Sequence, residues 1–155
     1  MIEHGNASSR PIVSLREVTA ETVRAICNLS VHPGQTRCVA PNAVSIAQAY
    51  FEPKAWFRAI YADETPVGFV MLYDDADNKE YFLWRLMIAS NEQGKGYGKQ
   101  AVELLIDQVR TRPGAEHLGV SCVQNDGPLE FYRKLGFRET GEVEGDEVIL
   151  RLQLQ

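Results

Sequence analysis

The chain has 155 residues and a formal net charge of −5, with 45% hydrophobic and 24% charged residues. This length suits one domain with a buried core, and this balance excludes an intrinsically disordered or fibrous chain. The acidic excess disfavours a nucleic-acid partner, and no apolar run approaches the roughly 18 residues of a membrane span, so we expect neither partner. Three cysteines (Cys27, Cys38 and Cys122) without a secretion signal predict reduced thiols and a cytoplasmic protein.

The first half of the chain contains both strand-like and helix-like periodicities. Residues 1–10 are largely polar and predict a flexible tail, which places a single domain at residues 11–155. The predicted elements are a strand over 11–18, a helix over 19–29 capped by Thr19, a helix over 42–50, and strands over 55–62 and 67–73. In the second helix, Ile46, Ala47 and Tyr50 are expected to lie on one face. The last two strands are joined by so few residues that they must form an antiparallel hairpin.

The second half of the chain predicts a parallel pair of strands. The predicted elements are a strand over 81–88, a helix over 96–110, a strand over 117–123, a helix over 128–135, and strands over 137–140 and 148–154. The strand–helix–strand succession between residues 81 and 123 has the spacing of a right-handed parallel crossover, whereas the rest of the sheet can be antiparallel. The predicted fold is therefore a mixed α/β domain with a mostly antiparallel sheet flanked by helices.

A glycine-rich loop joins the strand over 81–88 to the helix that follows it. Its residues are Gln93, Gly94, Lys95, Gly96, Tyr97, Gly98 and Lys99. Glycines allow backbone amides to point toward a common position, and the N-terminus of the following helix adds partial positive charge there. These features predict a phosphate-binding loop, and a flexible glycine turn with solvated lysines is the alternative interpretation.

Two common phosphate-binding motifs do not match this loop. A P-loop requires Ser or Thr directly after its lysine, whereas Gln100 follows Lys99. A dinucleotide-binding fingerprint requires Gly-x-Gly-x-x-Gly soon after a first strand. Here the third glycine comes one residue early, and a large part of the chain precedes the loop.

The loop resembles the acetyl-CoA-binding motif of the GNAT-type N-acetyltransferases, Gln-x-x-Gly-x-Gly, which opens a helix after a hydrophobic strand. A second signature of that family supports the resemblance, because Asn125 is followed by Phe-Tyr-x-x-x-Gly-Phe at residues 131–137. The resemblance spans about residues 12–154. Within the family, residues 84–98 are most similar to bacterial spermine/spermidine acetyltransferases.

The resemblance implies a GNAT-like fold, acetyl-CoA as co-substrate and a set of site residues. The two parallel strands would splay apart, and main-chain groups of Met87 and Ile88 would bind the pantetheine arm and polarise the thioester carbonyl. Backbone amides of the glycine loop would hold the pyrophosphate, and Asn125 would bond the pantetheine. Tyr132 would protonate the departing thiolate as general acid, with a core aromatic residue as its alternative role. No His/Cys spacing predicts a metal site.

The general base is the open part of this prediction. Some polyamine acetyltransferases of the superfamily carry a carboxylate on the strand before the glycine loop, whereas residues 83–86 here read Leu-Trp-Arg-Leu. Glu80 at the start of the strand and a water relay are the two candidates. Glu92 lies next to the loop, where an inward-pointing carboxylate would oppose the pyrophosphate.

Two acidic groups could attract a polycationic acceptor, and solvated loops are the alternative. They are Asp74, Asp75, Asp77 and Glu80, and Glu142, Glu144, Asp146 and Glu147. The resemblance favours acetylation of a small-molecule amine, spermidine or spermine, by direct attack in a ternary complex. An aminoglycoside, an amino acid or a protein N-terminus are alternative acceptors, and a non-catalytic acyl-CoA-binding sensor is the alternative function. A homodimer is expected because dimers are common in such folds.

Overall fold

The structure is a computed structural model that describes residues 10–36, 39–124 and 128–155. The predicted tail at residues 1–9 therefore lies outside the described residues. The strands are β1 (Val13–Arg16), β2 (Ala55–Ala62), β3 (Thr65–Asp75), β4 (Glu80–Ile88), β5 (His117–Val123), β6 (Arg138–Glu144) and β7 (Glu147–Gln153). The α-helices are α1 (Val23–Cys27), α2 (Asn42–Phe51), α3 (Tyr97–Arg110) and α4 (Leu129–Lys134), and short 3-10 helices lie at Pro33–Gln35 and Ser90–Glu92.

The described strands form one sheet in the order β1-β2-β3-β4-β5-β7-β6. All neighbouring pairs are antiparallel except β4 and β5, which are parallel and are connected through α3. The predicted hairpin and the predicted parallel crossover are both confirmed. The fold class predicted from the sequence, a mixed α/β domain with a mostly antiparallel sheet, is confirmed as well.

Helices cover both faces of the sheet and create two hydrophobic clusters. On one face, α3 buries Ala101, Val102, Leu105 and Val109, which follow one another at helical spacing and have no exposed surface. On the other face, a smaller cluster lies around Phe69, with contributions from α1 and α2. The apolar stripe of α3 is what fixes its N-terminus beside the end of β4.

The buried face of α2 differs from the prediction. Asn42 and Ser45 are buried, whereas Tyr50 is 84% exposed and Ala47 is also exposed. The reason is a polar contact, because the Asn42 side-chain amide donates a hydrogen bond of 2.9 Å to the Ile26 carbonyl oxygen of α1. The polar N-terminal turn of α2 therefore lies against α1, while Ile46 and Ala49 pack on the smaller hydrophobic cluster.

The first helix begins later than the prediction. Thr19 is not its cap, because the Thr22 hydroxyl accepts a hydrogen bond of 2.9 Å from the Thr19 amide and the Thr19 carbonyl oxygen accepts from the Thr22 and Val23 amides. These contacts form a turn ahead of α1. Hydrogen bonding between nearby threonines and the backbone thus competes with the first turn of the helix.

Strands β4 and β5 pair over a short stretch and then separate. Among the described residues, only Phe82 with Gly119 and Leu83 with Val120 are paired across them. A Cβ atom on Gly119 would lie 2.8 Å from the Phe82 ring, so glycine permits the close approach at this point. Beyond it, the register of β4 against β3 shifts and leaves Trp84 as an extra residue in β4.

Candidate active site

A cavity of about 370 Å³ occupies the gap between the separating strands. Residues 83–88 of β4 and residues 120–123 of β5 form its walls, and α4 closes it with aromatic side chains. The fold brings five of the predicted site residues together around this cavity. They are Met87, Ile88, Gln93, Gly98 and Tyr132. The predicted splay of the two parallel strands is therefore present, and a cavity runs along it.

The glycine loop turns on two residues in left-handed backbone conformation. Gly94 has φ 78° and Gly96, the N-cap residue of α3, has φ 84°. No side chain caps the first turn of α3, and a Cβ on Gly94 would meet no atom within 4 Å. The first amides of a helix lack partners within the helix, so this loop offers open backbone donors to an anion.

The side chains of Lys95, Lys99 and Tyr97 differ in how available they are to a ligand at the loop. The Lys95 ammonium donates a hydrogen bond of 2.9 Å to the Glu92 carboxylate, and this contact raises the pKa of Lys95. The ion pair offsets the negative charge of Glu92, which would otherwise oppose an anion at the loop. Lys99 is exposed and forms no ion pair with the described residues. The Tyr97 side chain packs in the core, so it is the Tyr97 backbone amide that remains for a ligand.

Two glutamines connect the loop to the N-terminal half of the chain. The Gln93 amide donates hydrogen bonds of 2.9 Å both to the Ile88 carbonyl oxygen and to the Gln35 side-chain oxygen. The Gln35 amide returns a hydrogen bond of 3.3 Å to Gln93. Gln93 thus holds the end of β4 against the loop. The sequence carried no signal for Gln35, because 58 residues separate the two partners.

Tyr132 lies on α4 and is 6% exposed. Its ring makes edge contacts with Phe131 and Phe137, at centroid distances of 5.1 and 5.5 Å. Burial, together with the neighbouring Cys122, raises the pKa of Tyr132, so the phenol keeps its proton at neutral pH. Within the described part of the chain the phenol oxygen has no hydrogen-bond partner, which leaves it available to a ligand in the cavity.

Cys122 also lines the cavity, on β5. Burial raises the pKa of this thiol, and nearby carboxylates act in the same direction. A protonated thiol is a poor nucleophile, so the cavity does not supply an activated cysteine for covalent catalysis.

Arg85 occupies the part of β4, residues 83–86, in which the sequence has no carboxylate. Its guanidinium donates to the Trp84 carbonyl oxygen at 3.2 Å and to the Gln48 side chain at 3.0 Å, while its Nε is buried without a partner in the described ranges. Burial lowers the pKa of Arg85. The strand therefore brings a cation, not a base, to the cavity wall.

Two further depressions, of about 390 and 930 Å³, continue from the cavity along the same face, and we call them together the acceptor groove. The smaller one shares Trp84, Arg85, Ser121 and Glu147 with the cavity. The larger one shares Trp84, Phe82 and Glu144 with the smaller one. The carboxylates of the groove, from the cavity outward, are Glu147, Glu144, and then Glu142, Glu80 and Glu52.

Glu80, the candidate base, lies in the larger depression and does not line the cavity that holds Tyr132. The structure thus separates the two residues that the sequence proposed as the catalytic acid and base. Glu80 shares its depression with the carboxylates of Glu142 and Glu144 and with the cations of Lys79 and Arg151, and its role as the base stays a prediction. Asn125 lies outside the described residues.

Three aspartates of the first acidic group have another role. Asp75 is almost fully buried and bonds Lys54 at 2.9 Å, Asp77 bonds the same ammonium at 2.8 Å, and Asp74 lies 3.1 Å from Arg112. None of them lines the cavity or the acceptor groove. Their ion pairs hold the end of β3 and the turn that follows it to Lys54 and Arg112, and their attraction for an acceptor stays a prediction.

Comparison with known proteins identifies the family. A family model described as the acetyltransferase (GNAT) family matches residues 24–137, which include the cavity walls, the glycine loop and α4. The chain belongs to the GNAT family of acetyltransferases. Members of this family use acetyl-CoA, and the predicted N-acetyltransferase activity is confirmed at this level.

Relatives of this GNAT protein agree in sequence and in fold. It is 27% identical to the spermine/spermidine N(1)-acetyltransferase of Bacillus subtilis (strain 168), over 90% of this chain and 97% of that protein. An acetyltransferase of Thermus thermophilus has a TM-score of 0.74 at 16% identity, covering 94% and 99% of the two chains. The PaiA N-acetyltransferase of Thermoplasma acidophilum, in complex with coenzyme A, has a TM-score of 0.69 at 16% identity, covering 92% and 99%.

The described residues form neither a metal-binding cluster nor a membrane-spanning helix. No group of three or more His, Cys, Asp or Glu side chains within residues 10–36, 39–124 and 128–155 is arranged to hold a metal ion. No helix in those ranges is both long and apolar enough to cross a bilayer. The homodimer and the cytoplasmic location stay predictions, and light scattering of the purified protein tests the first.

Proposed function

We propose that this GNAT acetyltransferase transfers the acetyl group of acetyl-CoA to a primary amine of a polyamine, spermidine or spermine. The observation that carries the proposal is the acceptor groove, which is rich in carboxylates and opens onto the cavity between β4 and β5. A polyamine carries several ammonium charges along a flexible alkyl chain. Carboxylates spaced beside the apolar walls of Trp84 and Phe82 complement that pattern, and the Bacillus subtilis relative supports it.

The cavity and the glycine loop are proposed to hold acetyl-CoA, which supplies an activated acetyl group as a thioester when bound. Open amides at residues 94–99 would bind the pyrophosphate, and main-chain groups of Met87 and Ile88 would face the pantetheine. The uncapped first turn of α3 supports this fit. Asn125 is proposed, from the sequence motif alone, to bond the pantetheine.

Tyr132 is proposed as the general acid that protonates the departing sulfur. Its raised pKa supports the role, since burial keeps the phenol protonated at neutral pH. Glu80 is proposed to bind a distal ammonium of the acceptor from the outer depression, with a water relay as its route to the reacting amine.

An amino acid is the second candidate acceptor, and Arg85 is the observation that favours it. A guanidinium with an unpartnered Nε at the junction of cavity and groove suits a carboxylate. The adjacent carboxylate of Glu147 would then take the amino group of the same molecule.

An acceptor panel tests the proposal. Purified protein with acetyl-CoA is offered spermine, spermidine, an alkyl monoamine of similar length, several amino acids and an aminoglycoside, and free thiol and acetylated product are measured. We expect the highest kcat/KM for the two polyamines. Preference for an amino acid would support the role of Arg85 instead, and binding of acetyl-CoA without turnover of any amine would indicate an acyl-CoA sensor.

A further inference from the structure

Glu147 is the first residue of β7, and its side chain lines both the cofactor cavity and the adjoining depression of the acceptor groove. Among the described residues that line the cofactor cavity, it alone carries a carboxylate. An acceptor that lies in the groove and reacts in the cavity must pass this shared wall. Glu147 therefore lines the cavity in which the acceptor would react, whereas Glu80 does not.

Strand pairing holds Glu147 at this position. It pairs with Val123 at the end of β5, where β5 has already separated from β4, and with Glu144 across the tight turn between β6 and β7. Its side chain is half-buried and forms no ion pair with any described residue. Arg85 of β4 lines the same cavity and depression, and its guanidinium is influenced by the Glu147 charge without forming an ion pair with it.

We infer that Glu147 binds the reacting ammonium group of the acceptor and accepts its proton. The inference rests on the proposed acetyl transfer to an amine. An alkyl ammonium has no free electron pair at neutral pH, so a carboxylate within reach must remove one proton. Glu147 takes that proton directly or through one water molecule. The freed electron pair forms the new C–N bond as the C–S bond of the thioester breaks, and Tyr132 gives its proton to the sulfur. The nitrogen loses its second proton as the amide forms, and this proton returns to the Tyr132 phenolate.

The same hairpin provides a comparison residue. Glu144 lies opposite Glu147 and lines both depressions of the groove, but it does not line the cofactor cavity. Removal of its charge should weaken the attraction for a polycation without removing the proton acceptor. Glu103, exposed on α3 and outside both the cavity and the groove, serves as a neutral control.

The test compares Glu147→Gln, Glu144→Gln, Glu80→Gln and Glu103→Gln, each of which removes one charge with little change in shape. For Glu147→Gln we expect kcat/KM to fall by roughly 10²–10⁴-fold, the range of a general base. The shift in melting temperature caused by acetyl-CoA should remain. Glu144→Gln should mainly raise KM, Glu103→Gln should match the wild type, and Glu147→Asp should restore part of the lost kcat.

A second measurement does not depend on turnover. Titration of spermine into the protein loaded with coenzyme A, followed by calorimetry, should show weaker binding for Glu147→Gln than for the wild type. If the wild type acetylates another amine instead of a polyamine, the proposed acceptor is wrong, and the four variants are compared with that amine. Wild-type kcat/KM in a folded Glu147→Gln protein, or a large loss of kcat in Glu80→Gln alone, overturns the inference. If no amine is acetylated, unchanged spermine binding by Glu147→Gln overturns it too.

Discussion

Tyr132 combines a buried ring with a hydroxyl that faces a cavity, and its two parts can be separated by mutation. Tyr132→Phe keeps the edge contacts with Phe131 and Phe137 and removes only the hydroxyl. We expect turnover to fall roughly 10²–10⁴-fold while the affinity for acetyl-CoA stays nearly unchanged, because a general acid acts in the chemical step. Single-turnover kinetics and calorimetric titration with acetyl-CoA measure the two quantities.

Tyr61→Phe is the matched control, since Tyr61 is also buried but lies in the other hydrophobic cluster. The raised pKa adds a pH criterion. A phenol whose pKa lies above the usual value of about 10 retains its proton as the pH approaches 10, so Tyr132 should cause no loss of kcat below that pH. Wild-type turnover in a folded Tyr132→Phe protein would return Tyr132 to a packing role.

Gly96 is the residue at which backbone conformation and anion binding coincide. Gly96→Asp places a carboxylate at the N-terminus of α3, where it would repel a pyrophosphate and fill the space that backbone amides need. It also places a side chain at φ 84°, which costs about 1 kcal/mol of stability. We expect the variant to lose the increase in melting temperature that acetyl-CoA produces by mass action.

Gly141→Asp separates backbone strain from repulsion of the pyrophosphate. Gly141 has φ 88° and open space around its Cβ position, but it lies in β6, away from the glycine loop. It should show similar strain and an unchanged response to acetyl-CoA. An equal response in both variants would contradict the assignment of the loop to the pyrophosphate.

At the scale of the element, a buried ion pair holds the connection from β3 to β4. Asp75 accepts hydrogen bonds from Asn78 at 2.8 Å and from Lys54 at 2.9 Å, and these lower the pKa of Asp75 to about 2. A depressed pKa in the folded state means that this carboxylate stabilises the fold above its unfolded pKa of about 4, and that the stabilisation is lost as the pH falls through about 2.

Asp75→Asn should therefore lower the melting temperature at pH 7, and its difference from the wild type should shrink between about pH 4 and pH 2. Differential scanning calorimetry across this range measures the difference. Asp77→Asn is the matched control, because Asp77 bonds the same lysine but its side chain is 88% exposed, and it should have little effect. A difference that is constant with pH would show that ionisation of Asp75 does not stabilise the fold.

At the scale of the whole molecule, the charge of the groove should act over distance. Five carboxylates line the acceptor groove and outnumber its three cations, which are Arg85, Lys79 and Arg151. Attraction between this field and a polycation weakens as salt shortens the Debye length, which is about 8 Å at physiological ionic strength. We expect KM for spermine to rise with ionic strength while kcat changes less, as measured by steady-state kinetics.

Paired substitutions test whether the salt dependence comes from the carboxylates of the groove or from the net charge of the protein. Glu142→Gln with Glu144→Gln should raise KM at low salt, whereas Glu103→Gln with Asp107→Asn changes the net charge equally on an exposed face of α3 and should not. Equal effects from both pairs would attribute the salt dependence to net charge alone.

Local signals account for the parts of this protein that the sequence determined by itself. Periodicity predicted the elements and the parallel crossover, and the spacing of glycines predicted the loop at residues 93–99 and its junction with α3. The motif around Tyr132 predicted its place at the cavity. Each of these features depends on neighbours a few residues apart, whose conformational preferences act before any long-range contact forms.

Tertiary structure decided the partners that come from distant segments. Gln35 meets Gln93, Lys54 meets Asp75 and Glu147 reaches the cofactor cavity only because strand register and helix packing place them there. The two acidic groups looked alike in the sequence, yet the fold engages three aspartates of one group in ion pairs and places three glutamates of the other along the cavity and the groove. A carboxylate's role depends on which cations and which cavity surround it, and those surroundings exist only after the sheet has closed around them.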